Sequence, residues 1–343
     1  MASLRDVAKS AGVSIATVSN VLNGHSEKVS LETRERVLAS VRQLRYRPTP
    51  LEHNQKAISS QNLGVVVPDF AIGSLTNNRY FRDILDGVIE GAGVKGWSIT
   101  IFLQNVWADV GLTVRRSYDG RCDGLIIVAP QPGHELVQTL HERGTPVVLV
   151  GTTPWLNNIS LVDVDNTAIG VQAVRHLTSL NHRRLAYVGH EQEQISSIER
   201  REGFFMEAAR AGIPKEDIHW ISVPRMESEV VVARAAVQQM MSLSRPPTGL
   251  LCWHDGLATH VVSELRRSNF AVPGQVSVVS VDDAEEATRC DPPLTTFKNP
   301  LVEIGKRASR MLIEKLTEGN DATEFVRFSP EIIVRQSTGP APQ

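Results

Sequence analysis

A chain of 343 residues is longer than the roughly 100–200 residues of most single domains and implies two or three of them. With 41% hydrophobic and 22% charged residues, and no apolar run near the roughly 18 residues that span a bilayer, it excludes a membrane-crossing protein. The net charge of −2 is unevenly divided: residues 1–60 carry nine Lys and Arg against five Asp and Glu, leaving 27 against 33 in the remainder, so a small basic end sits on an acidic body, as in a DNA-reading appendage.

The opening Met1-Ala2-Ser3-Leu4-Arg5-Asp6-Val7 lacks the pattern of a secretory signal, and a cytoplasmic location is expected. Cys122, Cys252 and Cys290 are far apart and form no Cys-x-x-Cys pair, which indicates neither a disulfide framework nor a zinc cluster. Leu4, Val7, Ala8 and Ala11 form the apolar stripe of a short helix ending at Gly12. After the Gly12-Val13 turn, Ser14 is the N-cap of a second helix with Ile15, Val18, Val21 and Leu22 facing inward. Ala16, Ser19, Asn20 and Asn23 share its outer face, small and polar enough to approach base edges. Ser30 caps a third helix with Val37, Val41 and Leu44 on one face. Periodicity alone leaves open a generic small helical bundle.

The residues themselves decide between these. Leu4-Arg5-Asp6-Val7-Ala8-Lys9-Ser10-Ala11-Gly12-Val13-Ser14-Ile15-Ala16-Thr17-Val18-Ser19-Asn20-Val21-Leu22-Asn23, followed by Lys28-Val29-Ser30, Thr33-Arg34-Glu35-Arg36-Val37 and Tyr46-Arg47-Pro48, closely resembles the headpiece of the lactose-repressor (LacI/GalR) family. The resemblance implies that Ile15 and Ala16 touch base edges while Ser14, Thr17 and Ser19 position the helix on phosphates. Asn20 stands where the family usually carries Arg; Asn pairs with adenine rather than guanine, and a phosphate or water contact is the alternative.

Pro48 and Pro50 stop the third helix, and Thr49–Ser60 reads as a polar linker. In the family this stretch forms a hinge helix whose Leu wedges into the minor groove, and Gln55, followed by Lys56, stands in its place here. The resemblance thus implies either less DNA bending or a shifted register in which Leu51 substitutes.

Beyond the linker, apolar runs at 64–67, 98–102, 124–128 and 146–150, then at 184–189, 218–223, 249–253 and 276–282, alternate with helical patterns. They predict two doubly wound α/β lobes with ligands at the carboxyl ends of the strands. The body also resembles the family's periplasmic-binding-protein-like sensor, through Val164-Asp165-Asn166, Asn181-His182-Arg183-Arg184, Ser280-Val281-Asp282-Asp283 and Pro292-Pro293-Leu294-Thr295-Thr296. Asp165-Asn166 reads plainly as a helix start and His182 as a helix end.

The fold implied is α/β: a three-helix helix-turn-helix headpiece (1–48), a hinge (49–61), and a two-lobed periplasmic-binding-protein-like body with parallel sheets (62–343). Its N-lobe is expected over 62–160 and 292–320 and its C-lobe over 161–291 and 321–338. For the effector, Glu199-Arg200-Arg201-Glu202-Gly203-Phe204 places Arg200 at the family's ligand-clamping position, and Asp282 at its acidic ligand contact; interdomain salt bridges are the alternative. Tyr80, Phe81, Met226, Trp253, His254 and Asn299 fall at other ligand positions, Trp155 lies near a strand end, and Gly151 replaces a frequent polar residue.

A free-standing solute-binding protein would lack the headpiece. An enzyme is not expected: Asp282-Asp283 and His254-Asp255 come without a nucleophile motif, phosphate loop or metal spacing, and neighbours on a strand point to opposite faces. No catalytic residue, cofactor or metal is expected. The function implied is a sequence-specific, DNA-binding transcription regulator, a homodimeric repressor whose operator affinity is switched by a small molecule, a sugar or, alternatively, a purine-type corepressor.

Overall fold

The computed structural model describes residues 3–22, 29–44, 46, 60–67, 78–102, 121–190, 194–223, 228–319 and 322–343. Among them the chain forms two compact units, residues 1–163 with 301–326 and residues 164–300 with 327–343. No helix among the described residues is long and apolar enough to cross a membrane.

The amino-terminal helices are α1 (Leu4–Ala11), α2 (Ile15–Leu22) and α3 (Leu31–Gln43). Ser3 and Asp6 close a capping box on α1, and Gly12 ends it at φ +66, a conformation that costs glycine little. The Ser30 hydroxyl accepts the Thr33 amide at the start of α3. Val7, Ala8, Ala11, Val18, Val21, Leu22, Val37, Val41 and Tyr46 form one buried cluster. Ile15, expected to face inward, is 44% exposed: on this short helix Val18, Val21 and Leu22 already fill the inner stripe.

The first unit continues with β1 (Asn62–Val66), α4 (Arg79–Gly93), β2 (Ser98–Phe102), β3 (Gly124–Val128), α5 (Glu135–Glu142), β4 (Val147–Val150) and β5 (Ser160–Val164). The second holds α6 (Asn166–Ser179), β6 (Leu185–His190), α7 (Ile195–Arg210), β7 (Ile218–Val223), α8 (Glu229–Met241), β8 (Gly249–Cys252), α9 (Asp255–Arg267), β9 (Ser277–Val281), α10 (Glu285–Arg289) and β10 (Thr295–Lys298). The chain then returns through α11 (Leu301–Thr317) and β11 (Phe325–Phe328) and ends beyond β12 (Glu331–Ile333).

Both sheets are six-stranded, ordered β11-β5-β4-β3-β1-β2 and β12-β10-β9-β8-β6-β7. Strands β1–β5 pair in parallel, as do β6–β10, while β12 runs antiparallel to β10. The inner strands β3, β4, β6, β8 and β9 are buried throughout, as continuous apolar runs in parallel sheets require. Residues 292–300, expected in the N-lobe, belong to the second unit because β10 pairs with β9, and residues 321–326, expected in the C-lobe, belong to the first.

Helices pack at glycines in both units. A Cβ on Gly87 of α4 would lie 2.0 Å from the Val302 carbonyl oxygen, and one on Gly305 of α11 2.1 Å from that of Ile84. In the second unit, a Cβ on Gly170 of α6 would lie 2.0 Å from the Arg200 carbonyl oxygen, and one on Gly203 of α7 2.2 Å from that of Thr167. Only hydrogen at these positions permits backbone contact between the helices.

The carboxyl-terminal residues are bound to the second unit. The buried His182 ring lies 2.9 Å from Thr248 Oγ1 through Nδ1, and through Nε2 3.0 Å from Ser277 Oγ and 3.1 Å from the Gly339 carbonyl. A carbonyl only accepts, so Nε2 carries the proton. The Ala341 amide donates to the Leu180 carbonyl at 2.8 Å, and His176 Nε2 meets Thr338 Oγ1 at 3.0 Å. Burial holds the His182 imidazole below its usual 6.5, although the Gly339 carbonyl favours the charged form. As pH falls the unfolded chain therefore takes up this proton first, and stability declines from about pH 6.5 toward the lowered native value. In a His182→Gln protein the fall of Tm below pH 6.5 is expected to be shallower; melts with the same pH dependence in both proteins would remove His182 as a source.

Candidate functional site

At the amino-terminal end of α2 the Ser14 hydroxyl accepts the Thr17 amide at 3.0 Å and pairs with the Thr17 hydroxyl at 2.8 Å. Ser14, Ile15 and Ala16 are exposed, and Thr17, Ser19 and Asn20 half-buried. The buried Val18, Val21 and Leu22 hold the helix from behind, so the outward groups are short, uncharged and fixed in direction. Short, uncharged groups of this kind suit close approach to base edges more than general attraction to phosphate. Asn23, Gln55 and Lys56 lie outside the described residues.

In the second unit, the expected ligand residues gather at the carboxyl ends of parallel strands. Trp253 and His254 follow β8, Asp282 follows β9, Asn299 follows β10, and Arg200 lies one turn into α7, after β6. Arg200 is 5% exposed; its Nε donates to Asn166 Oδ1 at 2.9 Å and its Nη1 to the Trp253 carbonyl at 2.6 Å. Neither bond uses Nη2, so the two braces fix the plane of the guanidinium while leaving one of its nitrogens to other partners. Asp282 has φ +114, a strained value for a side chain of this kind, and its carboxylate accepts Asn299 Nδ2 at 3.0 Å.

Asp255, beside them, is buried and accepts the Ser280 hydroxyl at 2.5 Å, the Thr296 hydroxyl at 2.7 Å and the Ala284 amide at 2.7 Å. Burial, and then the Asp282 charge, push its carboxyl up to about 7 against those bonds. Asp283 pairs with Arg335. Both carboxylates are thus occupied in holding the β9–α10 turn. Met226 lies outside the described residues.

In the first unit Tyr80 opens α4 half-buried, whereas Phe81 is fully buried and part of the core. Trp155 packs on the cluster around Leu136 and Leu149. A Cβ on Gly151 would fall 1.9 Å from the Tyr80 hydroxyl, so Tyr80 fills the space that a side chain at position 151 would need.

Three residues at the strand ends were not anticipated: Asn166, read as a helix start, and His190 and Glu229. Asp165 is the cap of α6, accepting the Ala168 amide at 2.9 Å, which frees Asn166 for Arg200. His190 Nε2 and His254 Nε2 lie 3.8 and 3.5 Å from Glu229 Oε1. Burial opposes ionisation of Glu229, but the two neighbouring imidazoles outweigh it and hold the carboxyl far below its usual range. His190 Nδ1, Trp253 Nε1, Glu229 Oε2 and Asn299 Oδ1 are buried without a hydrogen-bond partner among the described residues. Unpaired buried polar atoms are rare, and here four of them lie at the carboxyl ends of neighbouring strands.

Residues 3–49 match the family model for bacterial regulatory proteins of the lacI family, and residues 174–338 match a periplasmic binding protein-like domain. The chain is 28% identical over 343 residues to the HTH-type transcriptional repressor PurR of Photobacterium profundum, covering 98% of each. Among solved structures it is similar to a transcriptional regulator CelR-cellobiose complex, with a TM-score of 0.70 and 25% identity over 98% of this chain and 100% of that one. A LacI family transcriptional regulator from Enterococcus faecium with bound ribose shares the fold, with a TM-score of 0.68 at 22% identity over 81% and 99% of the two chains.

Because the Tyr80 hydroxyl is the nearest atom facing Gly151, the two positions are coupled. Gly151→Ala is expected to cost about 1–3 kcal/mol in chemical denaturation, and less in a Tyr80→Phe background. Equal costs in the two backgrounds would show that the positive φ of Gly151 alone sets the penalty.

Proposed function

The chain belongs to the lacI family of bacterial regulatory proteins and is a DNA-binding transcriptional repressor of that kind, and from this we propose that it acts in the cytoplasm as a homodimer whose operator affinity is switched by a sugar. The observation that carries the effector reading is Arg200, buried and braced by Asn166 and the Trp253 carbonyl on the sheet edge that also holds the strained Asp282. A guanidinium donates in a fixed plane and a carboxylate only accepts, a pairing suited to adjacent hydroxyls. The half-buried Trp253 adds an indole to the same edge, which suits the apolar face of a pyranose. The cellobiose-bound relative supports the same class of ligand. A purine-type corepressor is the second reading, supported by the full-length PurR relatives.

On the DNA side, Ile15 and Ala16 read base edges, Ser14, Thr17 and Ser19 set the register on phosphates, and Asn20 selects adenine where an Arg would select guanine. Asn23, and Gln55 and Lys56 in the hinge, complete the contacts. Two such headpieces read a pseudo-palindromic operator. In the effector site Arg200 and Asp282 grip the ligand, with Trp253, His254 and Asn299 at the ends of the neighbouring strands around it. An effector that binds the DNA-competent state better tightens repression, and one that binds the other state better relieves it.

Thermal-shift screening against mono- and disaccharides, nucleobases and sugar phosphates tests the effector. At a hundred times its Kd a ligand should add about 2.7 kcal/mol of stability. A sugar hit lost in Arg200→Ala and Asp282→Ala, with operator binding of the ligand-free variants retained, is the expected result. A nucleobase hit would favour the second reading, and no hit in any class would overturn the effector assignment. For the headpiece, Asn20→Arg is expected to move the preferred base from adenine to guanine at one position of each half-site. A change of about 1–3 kcal/mol should appear in mobility-shift titrations; equal weakening on every sequence would instead make Asn20 a phosphate contact.

A further inference from the structure

Three metal-ligating groups meet in the second unit although nothing in their sequence spacing announces them. His190 ends β6, Glu229 opens α8 after β7, and His254 caps α9 after β8. Because β8, β6 and β7 are neighbours in the sheet, three adjacent strand ends deliver one group each. One ligand atom from each lies within 4.8 Å of the other two, and both imidazole Nε2 atoms are within 3.8 Å of one Glu229 oxygen. Zinc bonds of about 2.0–2.1 Å in a tetrahedron set its ligands about 3.4 Å apart, so the donors stand within a few tenths of an ångström of that spacing along the two measured edges.

An ion pair of one carboxylate with two imidazoles accounts for the closeness but not for the rest. His190 is 8% exposed, and its Nδ1 and Glu229 Oε2 are buried without partners among the described residues. The Trp253 ring stands edge-on to both imidazoles, with centroids 5.8 Å from His190 and 4.4 Å from His254, and limits their movement. We propose that His190, Glu229 and His254 form a binding site for a divalent transition-metal ion of the zinc class.

Two imidazoles and a carboxylate suit zinc, cobalt, nickel or copper, whereas magnesium and calcium require oxygen ligands. Three protein ligands leave a coordination position to a ligand from outside the chain. Binding also reaches into α9. His254 Nδ1 now accepts the Leu257 amide at 3.2 Å, so the neutral ring carries its proton on Nε2, towards Glu229. The metal takes that place, the proton moves to Nδ1 with no change in the ring's charge, and the Leu257 bond is given up.

The site shares His254 with the proposed effector residues but needs no sugar, and its test uses the metal alone with the whole chain. After removal of adventitious metal, titration calorimetry should give one Zn2+ per chain and no response to Mg2+. Affinity in Glu229→Gln and His190→Gln should fall by more than the roughly 10–100-fold that loss of a partner outside the ligand set costs. In the unmodified protein, Co2+ should give the strong visible absorption of a four-coordinate site without a thiolate charge-transfer band, and Zn2+ should speed hydrogen exchange at the Leu257 amide. Those two readouts hold even where a variant fails to fold. Zn2+ binding absent at millimolar concentration, unchanged in both variants, or accompanied in the cobalt spectrum by a thiolate band would overturn the proposal.

Discussion

Backbone contact between α6 and α7 is the constraint on which the placement of Arg200 depends. Gly170 and Gly203 each meet a carbonyl oxygen of the opposite helix, where a methyl group would collide at close to 2 Å. The contact brings Asn166, at the start of one helix, within 2.9 Å of Arg200 on the other. A guanidinium so deeply buried is tolerable only with its donors paired, and the helix crossing supplies the first acceptor while the end of β8 supplies the second. The first unit repeats the device at Gly87 and Gly305, so each parallel sheet is covered by one pair of helices in closer contact than side chains allow.

The turn after β9 is held by hydrogen bonds against strain. Positive φ at Asp282 and Asp283 costs about 1–3 kcal/mol at each residue. Asp255 accepts three hydrogen bonds, from Ser280, Thr296 and Ala284, and so ties together both sides of the turn that carries Asp282. Because Asp255 is already saturated and Asp282 is oriented by Asn299, the two carboxylates do different work at short range: one builds the turn and the other is presented by it.

Local signals were legible in the chain where the physics is local. Ser14 and Ser30 cap the helices they were expected to cap, and each apolar run of the body became a strand within two residues of its expected ends. Ile15 was misplaced because a helix of two turns offers more apolar residues than its inner face accommodates. β10 escaped notice because Thr295 and Thr296 look like surface residues, yet both are fully buried, their hydroxyls bonded to Thr338 and Asp255. β11 and β12 are half-exposed edge strands with no continuous apolar run. The least legible features were those that join distant residues: Asn166 with Arg200, and His190 with Glu229 and His254. A helix start and a strand end are visible in sequence, but which of them face each other is decided by the order of strands in the sheet.

The threefold passage of the chain between its units governs how the molecule is made. On the ribosome, the glycine face of α4 is complete early, yet the helix that covers it, α11, is not synthesised until the second unit is nearly finished. The second unit in turn receives β12 and the Gly339 partner of His182 only after the first unit's last segment has been made. Neither unit can close its core before most of the other has been synthesised, so the amino-terminal helices, whose cluster is complete by Tyr46, fold long before the body they serve. The interval in which half-covered sheets are exposed in the nascent chain is the period in which chaperones have most to protect.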